Sequence, residues 1–105
     1  MQNKLLVHIA LLFLSLASFG QYTIEGIVAN TETGETLAGA NIILKGTSIA
    51  TVSETDGAYS FNRLKKGSYT VKVNFIGFKT LEKVLYVEHN VNQDFMLEQI
   101  GRAHV

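Results

Sequence analysis

Apolar and polar residues alternate along most of the chain after residue 21, a pattern typical of half-buried β-strands. In "SYTVKVNF", every odd-numbered residue from Tyr69 to Phe75 is apolar or aromatic, and every even-numbered residue is polar. The stretch "YTIEGIVA" places on one face Tyr22, Ile24, Gly26 and Val28. The chain is predicted to form seven short strands, at residues 22–29, 40–45, 49–53, 58–61, 68–75, 79–87 and 91–97. Seven strands separated by turn signals indicate an all-β sandwich.

Turn-forming residues separate these strands. Asp56-Gly57 is a strong tight-turn signal, because glycine takes positive φ without steric cost and the aspartate side chain bonds nearby backbone. "NTETGE" is a second polar turn, and "NRLKKG", residues 62–67, is predicted to be a connection. In the last predicted strand, the residues expected to point inward are Val91, Phe95 and Leu97.

The first twenty residues have the three-part layout of a secretory signal peptide. A basic start, "MQNK", precedes the apolar run "LLVHIALLFLSL", and small residues follow at Ser18 and Gly20. The run is shorter than the about 20 apolar residues that a membrane span needs. Residues 1–20 are therefore predicted to be a signal peptide cleaved after Gly20, so that the mature chain begins at Gln21. An N-terminal anchor helix is the alternative.

The amino-acid composition excludes several classes of function. The 105 residues leave room for one domain and include no cysteine, which excludes a disulfide framework, a thiolate nucleophile and a cysteine-based zinc site. Nine basic and nine acidic residues give a formal net charge of zero. The segment 21–99 omits Lys4 and Arg102 and keeps seven basic against nine acidic residues. No strong field points to nucleic acid or to an acidic lipid surface.

The sequence carries no catalytic constellation. His89 is the one histidine of the segment 21–99, so it has neither a second metal-binding histidine nor a triad partner. His104 lies in the C-terminal hexapeptide. No serine stands in a G-x-S-x-G motif, and no glycine-rich phosphate loop precedes a helix. The sequence predicts no catalytic, cofactor-binding or metal-binding residues, and therefore no enzyme.

Glu54 and Asp56 place two carboxylates on one turn. Together with backbone carbonyls they could hold calcium, but calcium takes about six to eight oxygen ligands. The favoured interpretation is a turn built from turn-forming residues.

Two further stretches are candidate binding surfaces. Arg63, Lys65 and Lys66 form a basic patch that is too small for nucleic acid and has no exposed aromatic series beside it. A solvated loop is the favoured interpretation. "FIGF", residues 75–78, could be an exposed partner patch, but such residues more often plug the end of a sandwich.

The segment from Ile24 to Thr80 resembles the carboxypeptidase regulatory-like domain, and the resemblance extends to Leu97. The matching motifs are Gly26 with Val28, "TGETLAGANI", "KGT", the turn "SETDGAY", Gly67 before "YTVKV", and "IGFKT". The resemblance implies a seven-stranded Greek-key sandwich of the prealbumin or transthyretin type. The chain departs from the family at three places. The family often has proline where this chain has Leu37-Ala38, and again near Leu64, and it commonly has Thr-Asp where this chain has Ser53-Glu54. These departures concern the rigidity of loops.

The resemblance also implies a function. In metallocarboxypeptidases such a module accompanies a separate zinc domain, and none of that domain is present here. A module that directly follows a signal peptide resembles the N-terminal extension of TonB-dependent outer-membrane receptors. There the sandwich lies on the periplasmic side, ahead of the plug and barrel. The expected protein is therefore an exported, non-catalytic accessory domain at the periplasmic face of the outer membrane.

The resemblance implies partners as well. They are the plug and barrel of the same full-length chain, with a TonB-type energiser or peptidoglycan as further candidates. No nucleic acid partner is expected, and the membrane is reached only through the barrel.

The last six residues, Ile100–Val105, break the strand pattern. The codons ATC GGA AGA GCA CAC GTC, followed by TGA, encode IGRAHV and a stop, and that string resembles a common short-read sequencing adapter. Residues 100–105 are therefore predicted to be a non-native tail, and residues 21–99 a domain of a longer receptor. A genuine short polar tail is the alternative. Two other functions stay open: the leading module of a secreted or surface peptidase, and a complete small secreted binding protein.

Overall fold

The computed structural model describes residues 20–101, and every regular element in that range is a β-strand. The strands are β1 (Tyr22–Asn30), β2 (Asn41–Leu44), β3 (Ala50–Val52), β4 (Ala58–Leu64), β5 (Gly67–Asn74), β6 (Leu81–Val87), β7 (Val91–Asn92) and β8 (Phe95–Leu97). Across this range, no helix with the length and hydropathy of a membrane span occurs. The predicted signal peptide lies outside the described residues, apart from Gly20.

The strands form two sheets. In the first, β4, β1 and β7 lie side by side, and β8 also pairs with β1. The second has the order β3-β2-β5-β6. The chain passes between the sheets after β1, β3, β4 and β6, and such connections are those of a Greek-key sandwich. The predicted fold class is confirmed.

The alternating apolar residues meet between the sheets. Ile24 and Val28 of β1, and Val71 and Val73 of β5, have no exposed surface. The inward faces predicted for these two strands are confirmed. Burying one such side chain contributes about 1.5–3 kcal/mol, so the core between the sheets is the main source of stability.

The predicted strand 91–97 is wrong as a single element. Gln93 and Asp94 separate β7 from β8, and both of these strands run parallel to β1. At the break, Gln93 N donates to Glu25 O at 2.8 Å, and Asp94 Oδ1 accepts a hydrogen bond from Ile27 N at 3.0 Å. The chain therefore keeps its bonds to β1 through the break, one of them through a side chain. The predicted inward residues of this segment, Phe95 and Leu97 with the partly buried Val91, do pack on the core.

Gly26 allows the break to lie against β1. A Cβ at this position would lie 2.1 Å from Gln93 O and 2.9 Å from Asp94 Oδ1. On the other side of β1, Tyr59 of β4 donates its hydroxyl hydrogen to Gln93 O. We call Gly26, Tyr59, Gln93 and Asp94 the clamp. It joins β1 and β4 to the break between β7 and β8.

The predicted fourth strand, 58–61, is too short, because a β-bulge carries β4 on to Leu64. Asn62 and Arg63 together face the single residue Thr23 of β1. Arg63 adopts a φ of 59°, in the left-handed region that favours glycine. The bulge turns Leu64 inward, where it is buried, and leaves Arg63 in solvent.

A buried hydroxyl holds the loop between β1 and β2. Ser53 Oγ donates to Leu37 O at 2.6 Å and accepts a hydrogen bond from Ala40 N at 2.8 Å. Ser53 itself is buried. These hydrogen bonds fix the loop at Leu37-Ala38, where the family often has proline.

Gly57→Ala is expected to cost about 2–5 kcal/mol of unfolding free energy, because left-handed strain adds to overpacking. Gly57 has a φ of 81°, and a Cβ there would lie 2.7 Å from Thr36 Cβ. Gly34→Ala is the matched control: its φ is 76°, but a Cβ meets nothing within 4 Å. The control should lose only about 1–2 kcal/mol. Urea denaturation measures both losses, and equal losses would contradict the steric part of this account.

Asp94→Ala removes the acceptor of Ile27 N–H and is expected to destabilise the fold by about 1–2 kcal/mol. Asp94→Asn keeps an oxygen at that position and should stay within about 0.5 kcal/mol of the parent. Thermal unfolding followed by circular dichroism compares the two variants. If Asp94→Asn were the more damaging change, the charge rather than the hydrogen bond would stabilise the clamp.

Candidate functional site

His89 lies exposed in the connection between β6 and β7. Within residues 20–101, no group of three or more histidine, aspartate or glutamate side chains could hold a metal ion. His104 lies outside the described residues. Within the described range, His89 therefore belongs to no such group.

The turn that carries Glu54 and Asp56 is closed by its own hydrogen bonds. Asp56 Oδ1 accepts from Ala58 N at 3.0 Å, and Gly57 N donates to Glu54 O at 2.8 Å. No third carboxylate of the described range joins them as a metal cluster. The turn interpretation is therefore the one that the geometry supports, and the turn leads the chain from one sheet to the other.

A shallow groove of about 480 Å³ lies beside the clamp. Glu25, Glu54 and Asp94 line it together with Tyr59. Burial, reinforced by the carboxylates of Asp94 and Glu25, raises the pKa of Tyr59. The phenol therefore stays protonated and donates to Gln93 O. This hydrogen bond ties β4 to the break between β7 and β8.

Sequence reasoning missed this groove because its residues come from distant parts of the chain. Glu25 lies on β1, Tyr59 on β4, and Asp94 between β7 and β8. One signal was present: alternation from Val91 to Phe95 calls for an apolar residue at position 93, where the chain has Gln93. A polar residue at an inward position indicates a break in the strand.

The structure brings the three cations of the basic patch together at one end of the sandwich. Arg63 lies in the bulge of β4, and Lys65 and Lys66 form the connection to β5. All three side chains are exposed. Tyr22 lies beside Lys65 and Lys66, and it is the aromatic neighbour that sequence reasoning did not place there.

The stretch 75–78 closes one end of the sandwich and leaves one apolar side chain exposed. The rings of Phe75 and Phe78 pack edge to face, with centroids 5.5 Å apart, and lie against the core. They plug that end of the sandwich. Ile76, between them, is 91% exposed. The loop also receives the C-terminal segment, since Phe78 pairs with Gln99.

Solved structures share this fold at low sequence identity. A shaft pilin SpaA from Lactobacillus rhamnosus GG matches with a TM-score of 0.65 and 15% identity, over 81% of this chain and 48% of that one. A chain of a type II cohesin–X-dockerin complex from Acetivibrio cellulolyticus matches with a TM-score of 0.64 and 20% identity, over 74% of this chain and 58% of that one. These likenesses concern the sandwich alone.

Sequence relatives are more specific. The chain is 41% identical over 92 residues to the TonB-dependent receptor SusC of Bacteroides thetaiotaomicron, covering 87% of this chain and 9% of that receptor. It is 31% identical over 96 residues to the TonB-dependent receptor P3 of Formosa agariphila, covering 86% of this chain and 10% of that receptor. The chain thus spans about a tenth of the length of these relatives. The sequence profile of the CarboxypepD_reg-like domain matches residues 24–101. The chain therefore belongs to the family of carboxypeptidase regulatory-like domains.

Proposed function

We propose that the chain is the N-terminal accessory sandwich of a TonB-dependent outer-membrane receptor, located on the periplasmic side. The domain itself is non-catalytic. The observation that carries the proposal is the 41% identity to SusC over nearly the whole of this chain but only 9% of that receptor. High coverage of this chain together with low coverage of the relative is expected when one domain of a much larger transporter is compared with the whole transporter.

The proposal divides the chain into a signal peptide at 1–20, the sandwich at 21–99 and a non-native tail at 100–105. The sandwich is supported by the strands from Tyr22 to Leu97. Beyond them, Ile100 N donates to Gly77 O at 2.9 Å. This bond uses backbone atoms, so any residue with an N–H group can make it at position 100.

The proposed role is docking within the receptor. The outer face of the second sheet carries polar residues, among them Thr70, Lys72 and Asn74, beside the exposed Val84 and Tyr86. The plug and barrel of the same chain are the proposed partners. A downstream plug would hold the sandwich at high effective concentration, so weak contacts suffice for docking. A TonB-type energiser or peptidoglycan would be met on the periplasmic side.

The sandwich is proposed to work without a metal ion. Adding millimolar calcium to the purified chain should therefore leave its melting temperature unchanged, because Asp56 Oδ1 is already an acceptor within its turn. Glu54→Gln and Asp56→Asn serve as matched variants. A calcium-dependent rise in Tm that these substitutions abolish would contradict the metal-free proposal.

Sequencing the gene downstream of the codon for Glu98 tests the receptor proposal. We expect an open frame that continues through a short linker into a segment that contacts TonB and a plug. Beyond it should follow many alternating strands of about 10 residues, as in a membrane barrel. A native stop within a few codons would overturn the proposal in favour of a small secreted binding protein, and a zinc or serine-hydrolase motif would favour a peptidase module.

A further inference from the structure

The end of the sandwich at which the chain enters is basic. Tyr22 pairs with Leu64, so the start of β1 lies beside the connection from β4 to β5. The exposed cations there are Arg63, Lys65 and Lys66. We call these three residues the basic end. The β6–β7 connection brings the acid Glu88 to the same end, because Val87 pairs with Gly67.

The opposite end is acidic. β1 and β8 finish there together, with Asn30 paired to Leu97. The connections at this end carry the acids Glu32, Glu35, Glu54, Asp56 and Glu98. Lys79, a cation at this end, lies 3.3 Å from Glu98. The strands hold the two ends about 20 Å apart, which exceeds the screening length of about 8 Å in physiological salt. Each end therefore presents its own potential to a partner.

Backbone strain marks the basic end. Among residues 20–101, Arg63 is the one non-glycine residue with positive φ. Glycine would fill this position of the bulge without strain. The Arg63 side chain is exposed, so burial does not compensate for this strain. A strained, exposed side chain indicates a role for that side chain in solvent.

An aromatic surface lies next to the cations. A shallow pocket of about 410 Å³ is lined by Gly20, Tyr22, Lys65 and Lys66. Gly20 covers the phenol: a Cβ on it would lie 2.9 Å from the Tyr22 hydroxyl. Cleavage after Gly20, as proposed above, would remove this residue and open the Tyr22 ring to solvent beside Lys65 and Lys66.

We propose that the basic end binds a carboxylate-bearing glycan, with the sugar ring on Tyr22 and the carboxylates on Lys65, Lys66 and Arg63. The inference rests on the proposed export and selects peptidoglycan among the proposed partners. The guanidinium of Arg63 accepts a carboxylate in bidentate fashion, and the lysines act as point charges.

Cosedimentation with purified peptidoglycan tests the surface. The full chain is exported and processed in a Gram-negative host, and its intact mass verifies that it begins at Gln21. It should sediment with sacculi at low salt and be released as ionic strength rises. Sacculi whose carboxylates have been converted to neutral amides should bind at least tenfold less.

Matched variants locate the contact. Lys65→Gln/Lys66→Gln should weaken binding about tenfold. Lys72→Gln/Lys83→Gln removes the same charge from the β5–β6 sheet and should leave binding unchanged. Arg63→Asn keeps a residue that tolerates left-handed φ and should also weaken binding. Tyr22→Leu tests the ring, and thermal unfolding verifies that each variant is folded.

Three results would overturn the assignment. The first is equal binding to native and amidated sacculi, and the second is equal loss in the two double-lysine variants. The third is binding to soluble polyglutamate as tight as to sacculi and independent of Tyr22, which would make the end a general polyanion surface. If the chain does not bind sacculi but the gene continues into a receptor, the proposed binding surface is wrong and the receptor proposal stands. If the chain binds sacculi but the gene has a native stop after Glu98, the receptor proposal is wrong and the binding surface stands.

Discussion

The pairing of β1 with the segment 90–97 is the constraint on which the sandwich depends. β1 is the shared neighbour of β4, β7 and β8, so the first sheet is complete only when this segment reaches it. Three amides along β1 and just beyond it are bonded by this segment: Thr23 N to Asn90 Oδ1, Ile27 N to Asp94 Oδ1 and Thr31 N to Leu97 O. Two of these acceptors are side chains, which fix the register of strands that are only two and three residues long.

This closure places the charged connections at the two ends and leaves the clamp between them. The polar groups near the clamp are used for structure: Tyr59 and Gln93 bond each other, and Asp94 bonds β1. The loops at the ends are the parts that can contact a partner without disturbing the core. A rigid sandwich with different charge at each end is therefore suited to docking, and its chemistry agrees with a non-catalytic domain.

Alternation predicted most of the strands because burial between two sheets has a period of two. β5 follows this period along its length, and β1 follows it as far as Val28, after which Ala29 and Asn30 are also buried. It failed where a long-range contact changes the local pattern. At β4, the polar pair Asn62-Arg63 ended the pattern, and only the bulge opposite Thr23 explains why Leu64 is again buried. At the end of the chain, Gln93 stood at an inward position, but its partners on β1 and β4 are far away in sequence. The charges of the basic patch were visible in the sequence, whereas their position beside Tyr22 depends on the strand pairing.

Native-state hydrogen exchange tests most directly the claim that the last segment is part of one cooperative fold. The amide of Gln93 donates to Glu25 O, and it should open with the same free energy as the most protected amides of β5. That value should equal the free energy of global unfolding. If Gln93 exchanged through an opening about 2 kcal/mol or more below that of β5, the segment would detach from a sheet that persists without it, and the account would be contradicted.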